Sequence, residues 1–303
     1  MEKAAYKGWA NCVRLANRAV ELMITADVGP RIIRFGFAGG ENEFREYPQM
    51  LGRTGDKEWL IYGGHRLWHA PEAVPRSYVP DNGQVSVEDK GRFVRVVQPV
   101  EAGTGIQKEL DVALSAKEAH VKVTHRLRNT GAWPVELAPW ALSVMEQGGR
   151  AVIPLPPRGS NTGNMLPTSV LSLWAYTDMS DPRWTWGEKY IMLRQDPQAK
   201  KPQKAGAATP DGWAGYARGG HLFVKKFAYQ EGASYPDFGC SVETFTNADM
   251  IELETLGPLT TLAPGAAVEH VEDWFLFDGA GEPRNDADID RNILPRVRAA
   301  RVE

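Results

Sequence analysis

The sequence predicts an all-β protein built as a sandwich of antiparallel sheets. Apolar and polar residues alternate along most of the chain, which is the period of a strand with one buried face. β-Branched residues recur within these runs, and turn-forming residues separate them. Strands of this kind continue over the whole length of 303 residues, and few segments have a helical pattern. This combination is typical of a β-sandwich.

Eight segments show the clearest alternation, and each is expected to be a strand. They are residues 20–25, 31–37, 93–97, 106–112, 120–127, 221–227, 251–256 and 268–277. Turn sequences such as Asp81-Asn82-Gly83 and Ala263-Pro264-Gly265 separate them, as hairpins and longer sheet connections require.

Two segments depart from this pattern. Residues 286–301 are expected to form a short C-terminal helix, because Ile289, Ile293 and Val297 recur at four-residue spacing after a capping aspartate, Asp286 or Asp288. Residues 196–211, with three lysines and several alanines and prolines, are interpreted as a mobile surface loop. Sheet-like patterning continues on both sides of this loop. The sequence therefore predicts a single domain over residues 1–303.

Composition argues against several classes of partner. The net charge is −3, whereas a protein that binds nucleic acid usually carries a basic excess. The first residues contain no apolar run of signal or transmembrane length, so we expect no membrane partner. The expected location is the cytoplasm, or the periplasm or exterior if a signal peptide has been removed. Cys12 and Cys240 lie far apart, and at most they form one disulfide.

The most unusual segment is Gly63-Gly64-His65-Arg66-Leu67-Trp68-His69-Ala70-Pro71-Glu72, which we interpret as a loop that forms a site. The paired glycines would let the backbone approach a ligand. In an extended chain His65 and His69 share one face, while Arg66 and Trp68 point to the other.

Two roles are open for the histidines of this segment. An imidazole can transfer a proton near neutral pH, and Glu72 could orient one. Alternatively, one histidine is a buried core residue and Arg66 pairs with Glu72. A metal site made of His65, His69 and Glu72 is a weaker alternative, because the spacing of the histidines would suit zinc only on a helix.

A second group of acidic residues lies in the strand-like run 250–256. Alternation places Glu252 and Glu254 on one face of the strand, with Ile251 and Leu253 facing the core. Neighbouring carboxylates repel, which raises one pKa and helps to produce a base that works near neutral pH. The alternative is a solvated outer face of the sandwich.

Tryptophan is the most over-represented residue type, with ten in the chain. Trp184 and Trp186 would lie on one side of an extended segment beside Arg183, as a stacking platform for sugar rings, although each tryptophan alone is more often a core residue. No nucleotide-binding glycine loop, serine-hydrolase elbow or HExxH motif is found. We expect neither a cofactor nor a metal ion.

Several short motifs, in order along nearly the whole chain, resemble the galactose mutarotase-like superfamily, in a branch related to aldose 1-epimerases and hexose-6-phosphate epimerases. They lie in residues 9–17 and 28–35, in the Gly63-Gly64 segment, and in Glu252-Leu253-Glu254, Leu262-Ala263-Pro264-Gly265 and Glu272-Asp273-Trp274. The resemblance implies one large antiparallel β-supersandwich with a sugar cleft on its concave face. It also implies interconversion of sugar anomers without a cofactor.

The resemblance also implies roles for individual residues. Glu254 matches the catalytic base of the family. The family's acid is a histidine in a mid-chain strand, and Ser143 occupies that position in the corresponding run 140–145. We therefore expect His65 or His69 to supply the acid, with His221 as another candidate. The expected substrate-binding residues are Arg34, Arg66, Trp68, Glu72, Trp140, His221, Lys225 and Asp237.

Three functions remain open at this stage. The first is an aldose 1-epimerase-like isomerase acting on a free or phosphorylated hexose. The second is a non-catalytic protein that binds or senses carbohydrate, which Ser143 favours. The third is a lyase or hydrolase acting on an acidic glycan, with Arg66, Lys225 and Arg183 neutralising a uronate. In each case the expected partner is a small or oligomeric carbohydrate, and the protein is expected to be a monomer or homodimer.

Overall fold

Two antiparallel sheets packed face to face form the protein in the computed structural model, which describes residues 1–163 and 165–302. The strands of the first sheet are β1 (Glu2–Tyr6), β2 (Trp9–Ala16), β3 (Val20–Thr25), β4 (Arg31–Phe37), β5 (Gly64–Ala70), β10 (Val135–Met145), β12 (Leu171–Leu173), β15 (Gln203–Ala207), β18 (Val242–Thr246), β19 (Ile251–Leu256) and β20 (Thr260–Leu262). Those of the second sheet are β6 (Ser86–Asp89), β7 (Val94–Val97), β8 (Ile106–Leu114), β9 (His120–Asn129), β11 (Arg150–Pro154), β13 (Trp184–Trp186), β14 (Tyr190–Arg194), β16 (Trp213–Arg218), β17 (His221–Phe227) and β21 (Ala267–Phe277).

The order of the strands brings distant parts of the sequence together. The first sheet runs β1-β2-β3-β4-β5-β10-β19-β18-β15-β12, with β20 also paired to β10. The second runs β13-β14-β11-β16-β17-β21-β9-β8-β7-β6. All eight strands predicted from the sequence are present, with ends that differ by no more than two residues. The prediction of an antiparallel all-β sandwich is therefore confirmed.

The core lies between the two sheets and takes alternate residues from each. Phe35 and Leu253 of the first sheet belong to the same buried cluster as Val123 and Trp274 of the second. The rings of Phe35 and Trp274 are 5.8 Å apart. Burial of this apolar surface is the main driving force that joins the sheets. It also fixes which face of each strand points inward.

The chain ends in the predicted helix. Helical turns run through Asp286–Asp288, Ile289–Ile293 and Leu294–Ala299. The side chain of Asn285 caps them by accepting a hydrogen bond of 3.0 Å from the Asp288 amide, so the cap is one residue before the predicted aspartate. The predicted apolar stripe is buried against residues of the second sheet.

The expectation of a mobile loop at residues 196–211 is corrected by the structure. Residues Gln203–Ala207 form β15, in which all five residues are buried between β18 and β12. The alanines and Gly206 suit this position because neighbouring side chains approach closely: a Cβ at Gly206 would lie 2.6 Å from the Sγ atom of Cys240. Small residues and a lysine gave no strand signal in the sequence.

Two smaller findings complete the fold. Cys12 and Cys240 are both buried free thiols, so the disulfide that the sequence left open is not formed. Within the described residues, no helix has the length and apolar character needed to cross a membrane.

Candidate functional site

The segment Gly64–Ala70 is a central buried strand, not the loop expected from its composition. Gly63 and Gly64 have φ angles of +100° and +71°. A Cβ atom at Gly64 would lie 2.4 Å from the carbonyl oxygen of Ile32, and one at Gly63 would lie 1.9 Å from that of Arg45. The glycines therefore allow β5 to approach neighbouring backbone, rather than a ligand.

The predicted alternation along this strand is confirmed. Arg66 and Trp68 lie on the outer face of the first sheet, the face turned away from the second sheet, where they pair with Leu142 and Trp140 of β10. His65 and His69 lie on the inner face, and His65 contacts His125 of the second sheet. The two groups of site candidates in this segment are thus separated by the sheet.

Six residues from five adjacent strands meet on the outer face, and we call them the outer-face cluster. They are Arg66, Trp140, Lys204, Glu243, Glu252 and Glu254. Register explains the convergence, because residues directly opposite in an antiparallel sheet share a face. Glu254 lies opposite Leu142 on one side and opposite Glu243 on the other.

Lys204 is the centre of this cluster. Its Nζ atom lies 2.8 Å from Oε2 of Glu243 and 3.4 Å from Oε2 of Glu254. The same ammonium stands 4.7 Å from the ring centre of Trp140 and 4.5 Å from that of Trp174. Trp140 Nε1 donates a 2.7 Å hydrogen bond to Oε2 of Glu254. One cation thus holds two carboxyl groups against an aromatic wall.

Burial and charge set the protonation of the three groups. Burial would lower the pKa of Lys204, but Glu243 and Glu254 outweigh it and raise that pKa well above its usual value. Burial raises the pKa of Glu243 well above the usual range, against the attraction of Lys204. Burial also raises the pKa of Glu254, opposed by Lys204 and the Trp140 hydrogen bond. Lys204 is therefore held in its charged form between two carboxyl groups that burial makes easier to protonate, Glu243 more strongly than Glu254.

Arg66 provides a second polar centre on the same face. Its Nη2 atom donates a 2.9 Å hydrogen bond to Oε1 of Glu252. Its guanidinium carbon lies 4.7 Å from the ring centre of Trp68 and 5.4 Å from that of Trp59. The remaining nitrogens Nε and Nη1 are buried without a hydrogen-bond partner in the protein, as is Oε1 of Glu254. Donors and acceptors are therefore available here for the hydroxyl groups of a ligand.

Aromatic and acidic residues surround the cluster. Tyr78 packs on Trp68, with ring centres 5.0 Å apart, and its hydroxyl hydrogen-bonds Glu72. Tyr176 is 42% exposed. Asp237 lies close enough to contribute to the raised pKa of Glu243. Glu72 and Asp237, both predicted to bind substrate, thus lie beside the cluster rather than in it.

The inner face carries a different set of polar residues, the interior cluster. It comprises His65, His125, Ser143, Lys225, Thr255, His270 and Glu272. Nδ1 of His125 lies 2.9 Å from the carbonyl oxygen of His270 and must donate to it. Nε2 of His125 then accepts from Nε2 of His65 at 2.7 Å, and Nδ1 of His65 accepts from Ser143 Oγ at 2.9 Å. With these assignments, each hydrogen bond in the series from Ser143 through His65 and His125 to the His270 carbonyl has one donor and one acceptor.

These histidines are uncharged components of the core. Burial lowers the pKa of His65 well below its usual value and lowers that of His270 to about 3. Lys225 forms a 2.9 Å ion pair with Glu272 between the sheets. The structure therefore does not bring His65 or Lys225 together with Glu254, contrary to the expectation from sequence, because the backbone of the sheet lies between them.

The other predicted residues also lie elsewhere. His69 is on the inner face, 3.7 Å from Glu101. His221 pairs with Glu43 at 2.6 Å, and Arg34 pairs with Glu21 at 2.9 Å. The predicted residues that do come together at or beside the outer-face cluster are Arg66, Trp68, Glu72, Trp140, Asp237 and Glu254.

The sequence reasoning missed Lys204 and assigned no role to Glu243. Lys204 lies in the segment mistaken for a mobile loop, and the small residues after it conceal the strand. Glu243 begins an alternation with Phe245 in β18, which was a usable signal. Ser143, which occupies the position of the family's histidine, faces inward, and the residue opposite Glu254 is Leu142.

Neither metal arrangement fits the residues. Glu72 is exposed beside the outer face, so it does not meet His65 and His69. Atoms of His65, His125 and Glu272 lie within 4.8 Å of one another. However, both histidines are engaged in the hydrogen-bond chain described above, and the Lys225 ammonium is already beside Glu272. A cation there would meet a like charge.

Comparison with known proteins identifies the fold. No family model and no curated protein matches the chain. Among solved structures, a galactose mutarotase-like protein from Lactobacillus casei has 11% sequence identity and a TM-score of 0.55, covering 88% of this chain and 100% of that one. One from Clostridium acetobutylicum has 13% identity and a TM-score of 0.53, covering 91% and 98%. A galactose mutarotase related enzyme from Lactobacillus acidophilus has 8% identity and a TM-score of 0.56, covering 90% and 99%.

Proposed function

We propose that this protein, which has the galactose mutarotase-like fold, binds a sugar on the outer face of its first sheet and interconverts its anomers. The observation that carries the proposal is the pair Glu243 and Glu254 around Lys204, within an aromatic wall. The two carboxyl groups contact one ammonium, so both can reach a single pyranose ring. Burial raises the pKa of Glu243 further than that of Glu254, so we assign Glu243 as the acid and Glu254 as the base.

The proposed reaction is ring opening followed by closure. The Glu254 carboxylate removes the proton of the C1 hydroxyl, and the electron pair forms the aldehyde as the bond between C1 and the ring oxygen breaks. The Glu243 carboxylic acid protonates the released ring oxygen. Rotation about the C1–C2 bond exposes the other face of the aldehyde, and the same groups act in reverse as the ring closes. Lys204 keeps Glu254 ionised before the proton moves.

This mechanism assigns the acid to a carboxyl group rather than to the histidine that the family resemblance implied. All six histidines lie in the described part of the chain, and their contacts are on other faces. Burial raises the pKa of the Glu243 carboxyl group well above its usual value, so in this proposal it performs the step that an imidazolium would otherwise perform.

The substrate is proposed to be a neutral sugar. Both cations of the outer-face cluster already neutralise carboxylates, Arg66 with Glu252 and Lys204 with Glu254. Two of the three basic residues expected to hold an acidic glycan also lie away from the outer face. Arg183 pairs with Asp181 in the turn before β13, and Lys225 lies between the sheets. A lyase or hydrolase acting on a uronate therefore has little support.

The test follows anomer exchange in a panel of free sugars, including glucose, galactose, mannose and xylose, by polarimetry and by NMR of the anomeric protons. We expect the wild-type protein to accelerate exchange of at least one sugar. Glu254→Gln should lose about 10²- to 10⁴-fold of that acceleration. Glu188→Gln, at a side chain 75% exposed and distant from the cluster, should not change it. Exchange at the buffer rate for every sugar would reject the proposed catalysis.

A second candidate is a protein that binds sugar without converting it. The observation that favours it is the absence of an imidazole from the outer face among the described residues, combined with the complete burial of Glu254. Calorimetry on the same panel distinguishes the two. Binding without accelerated exchange, weakened by Arg66→Lys, would establish this candidate in place of the first.

A further inference from the structure

A cavity separate from the outer-face cluster lies between the two sheets, where β5, β8 and β10 begin or end. It has a volume of about 290 Å³. His69 and Leu137 come from the first sheet, Ile106 comes from the second, and Pro75 and Val79 close the cavity from the turn that follows β5. This volume suits a molecule about the size of a substituted benzene ring.

A buried imidazole without hydrogen-bond partners lines this cavity. His69 is 1% exposed, and neither of its ring nitrogens has a hydrogen-bond partner in the protein. Its nearest acid, Glu101, is 3.7 Å from Nε2, which is too far for a hydrogen bond. Glu101 instead forms an ion pair with Lys108 at 2.6 Å and accepts a 2.6 Å hydrogen bond from the hydroxyl of Thr104. Leaving such a buried group unpaired is costly, so the geometry points to a ligand.

The charge of the cavity indicates the chemistry of that ligand. Lys108 and Glu101 neutralise each other, and the neighbouring imidazole carries no charge because burial lowers the pKa of His69. Arg76 then supplies the net positive charge among the lining residues. Its Nη2 atom donates to the carbonyl oxygen of Pro71, and its buried Nε atom has no partner. The rest of the lining is mainly apolar.

We propose that this cavity binds a small apolar monocarboxylate, with its aryl or branched alkyl body between the sheets and its carboxylate near Arg76 and His69. The ring or alkyl group would pack against Val79, Ile106 and Leu137. This site does not use any residue of the outer-face cluster, so it is independent of the proposed anomer exchange.

Benzoate is the probe, measured by calorimetry and by ligand-observed NMR on the full-length protein. The wild-type protein should bind benzoate with a Kd in the millimolar range or lower. Val79→Trp should fill the cavity and weaken binding at least tenfold. Val74→Trp is the matched control, because it makes the same substitution in the same turn at a residue that is 82% exposed and does not line the cavity.

A second comparison tests the role of the charge. Arg76→Gln should weaken benzoate at least fivefold and leave benzyl alcohol, a neutral molecule of similar shape, bound as in the wild-type protein. Stronger binding of benzyl alcohol than of benzoate to the wild-type protein would overturn the carboxylate assignment. Failure of the wild-type protein to bind either probe, or equal benzoate affinity in the Val79→Trp and Val74→Trp variants, would overturn the site itself.

Discussion

Glu243 and Glu254 stand directly opposite each other on neighbouring strands, and Lys204 contacts both carboxyl groups. Like charges in that position would destabilise the sheet, so the arrangement requires a cation, a proton or both. Burial raises the pKa values of both glutamates against the attraction of Lys204, and the two glutamates in turn raise the pKa of Lys204. The same arrangement is what makes the outer face a candidate for proton transfer.

Removing the cation should therefore destabilise the protein. Lys204→Met leaves two carboxyl groups buried together, and we expect a loss of about 3 kcal/mol in the free energy of unfolding at pH 8. Both carboxyl groups can take up protons in the folded variant, so the loss should be smaller at pH 5. Urea denaturation at the two pH values measures it. Lys189→Met, at an exposed ion pair with Asp290, is the control and should have a much smaller effect that does not depend on this pH change.

The Glu243→Gln variant tests whether Glu243 acts as the proposed acid or has only a structural role. If Glu243 is the acid, anomer exchange should fall by about 10²-fold, because an amide cannot donate a proton to the ring oxygen. The wild-type rate should decline at high pH as Glu243 loses its proton, and this decline should be absent from the residual activity of the variant. A variant with full activity and an unchanged pH profile would assign the acid to another group.

Arg66→Lys tests which arginine contacts the sugar. Lysine keeps the charge but loses the planar group that lies over Trp68 and the free Nε donor, so sugar affinity should fall about tenfold. Arg34→Lys should leave it unchanged, because Arg34 pairs with Glu21 away from the outer face. Calorimetry with a sugar that binds the wild-type protein measures both. Equal losses in the two variants would contradict the location of the site.

Gly64→Ala and Gly39→Ala together test whether Gly64 is required because neighbouring backbone lies close to it. The two glycines have nearly equal φ angles, +71° and +72°. A Cβ atom at Gly39 meets nothing within 4 Å, whereas one at Gly64 meets the carbonyl oxygen of Ile32. Gly39→Ala should cost about 1 kcal/mol from conformation alone. Gly64→Ala should cost at least about 2 kcal/mol more, measured by thermal or urea denaturation, and similar costs would contradict the close approach.

Acid should destabilise the fold through the interior histidines. His65, His125 and His270 are neutral in the folded state because burial lowers their pKa values, that of His270 to about 3. In the unfolded chain they take up protons below about pH 6.5. The unfolded state therefore binds more protons, and stability should fall as the pH drops from 6.5, by up to about 1.4 kcal/mol per pH unit for each histidine. Unfolding free energies between pH 7 and 5 measure this slope. Glu243 and Glu254, whose pKa values are raised, contribute in the opposite direction, so the slope is also measured in a variant with both changed to Gln. A flat profile in that variant would show that these histidines are not kept neutral.

The strands of the two sheets could be predicted from the sequence. Which face of a fully buried strand is turned toward the other sheet could not. Period-two alternation identified strands such as β3, β4, β17 and β19 with their observed ends. It also separated His65 from Arg66 correctly. Alternation does not reveal which face of β5 points to the second sheet, because the side chains on both faces of this strand are buried. That information depends on the strands that pair with β5, and these lie far away in the sequence.

Part of the candidate site could also be predicted from the sequence. Glu254 and Trp140 were identified through a family resemblance, and Arg66 and Trp68 through an unusual composition. Lys204 was missed because its strand consists of small residues that carry no strand signal. Its contacts with Glu243 and Glu254 arise only after β15, β18 and β19 have come together.

The alternation of side chains along β5 also affects how the sequence of this protein can evolve. Neighbouring codons of one short segment are under different constraints: those for His65 and Leu67 maintain the core, and those for Arg66 and Trp68 would, under the proposed function, determine the ligand. A lineage could therefore acquire a new ligand by replacing alternate residues while the intervening ones stay fixed. Glycines 63 and 64 would remain constant throughout, since any side chain there meets backbone.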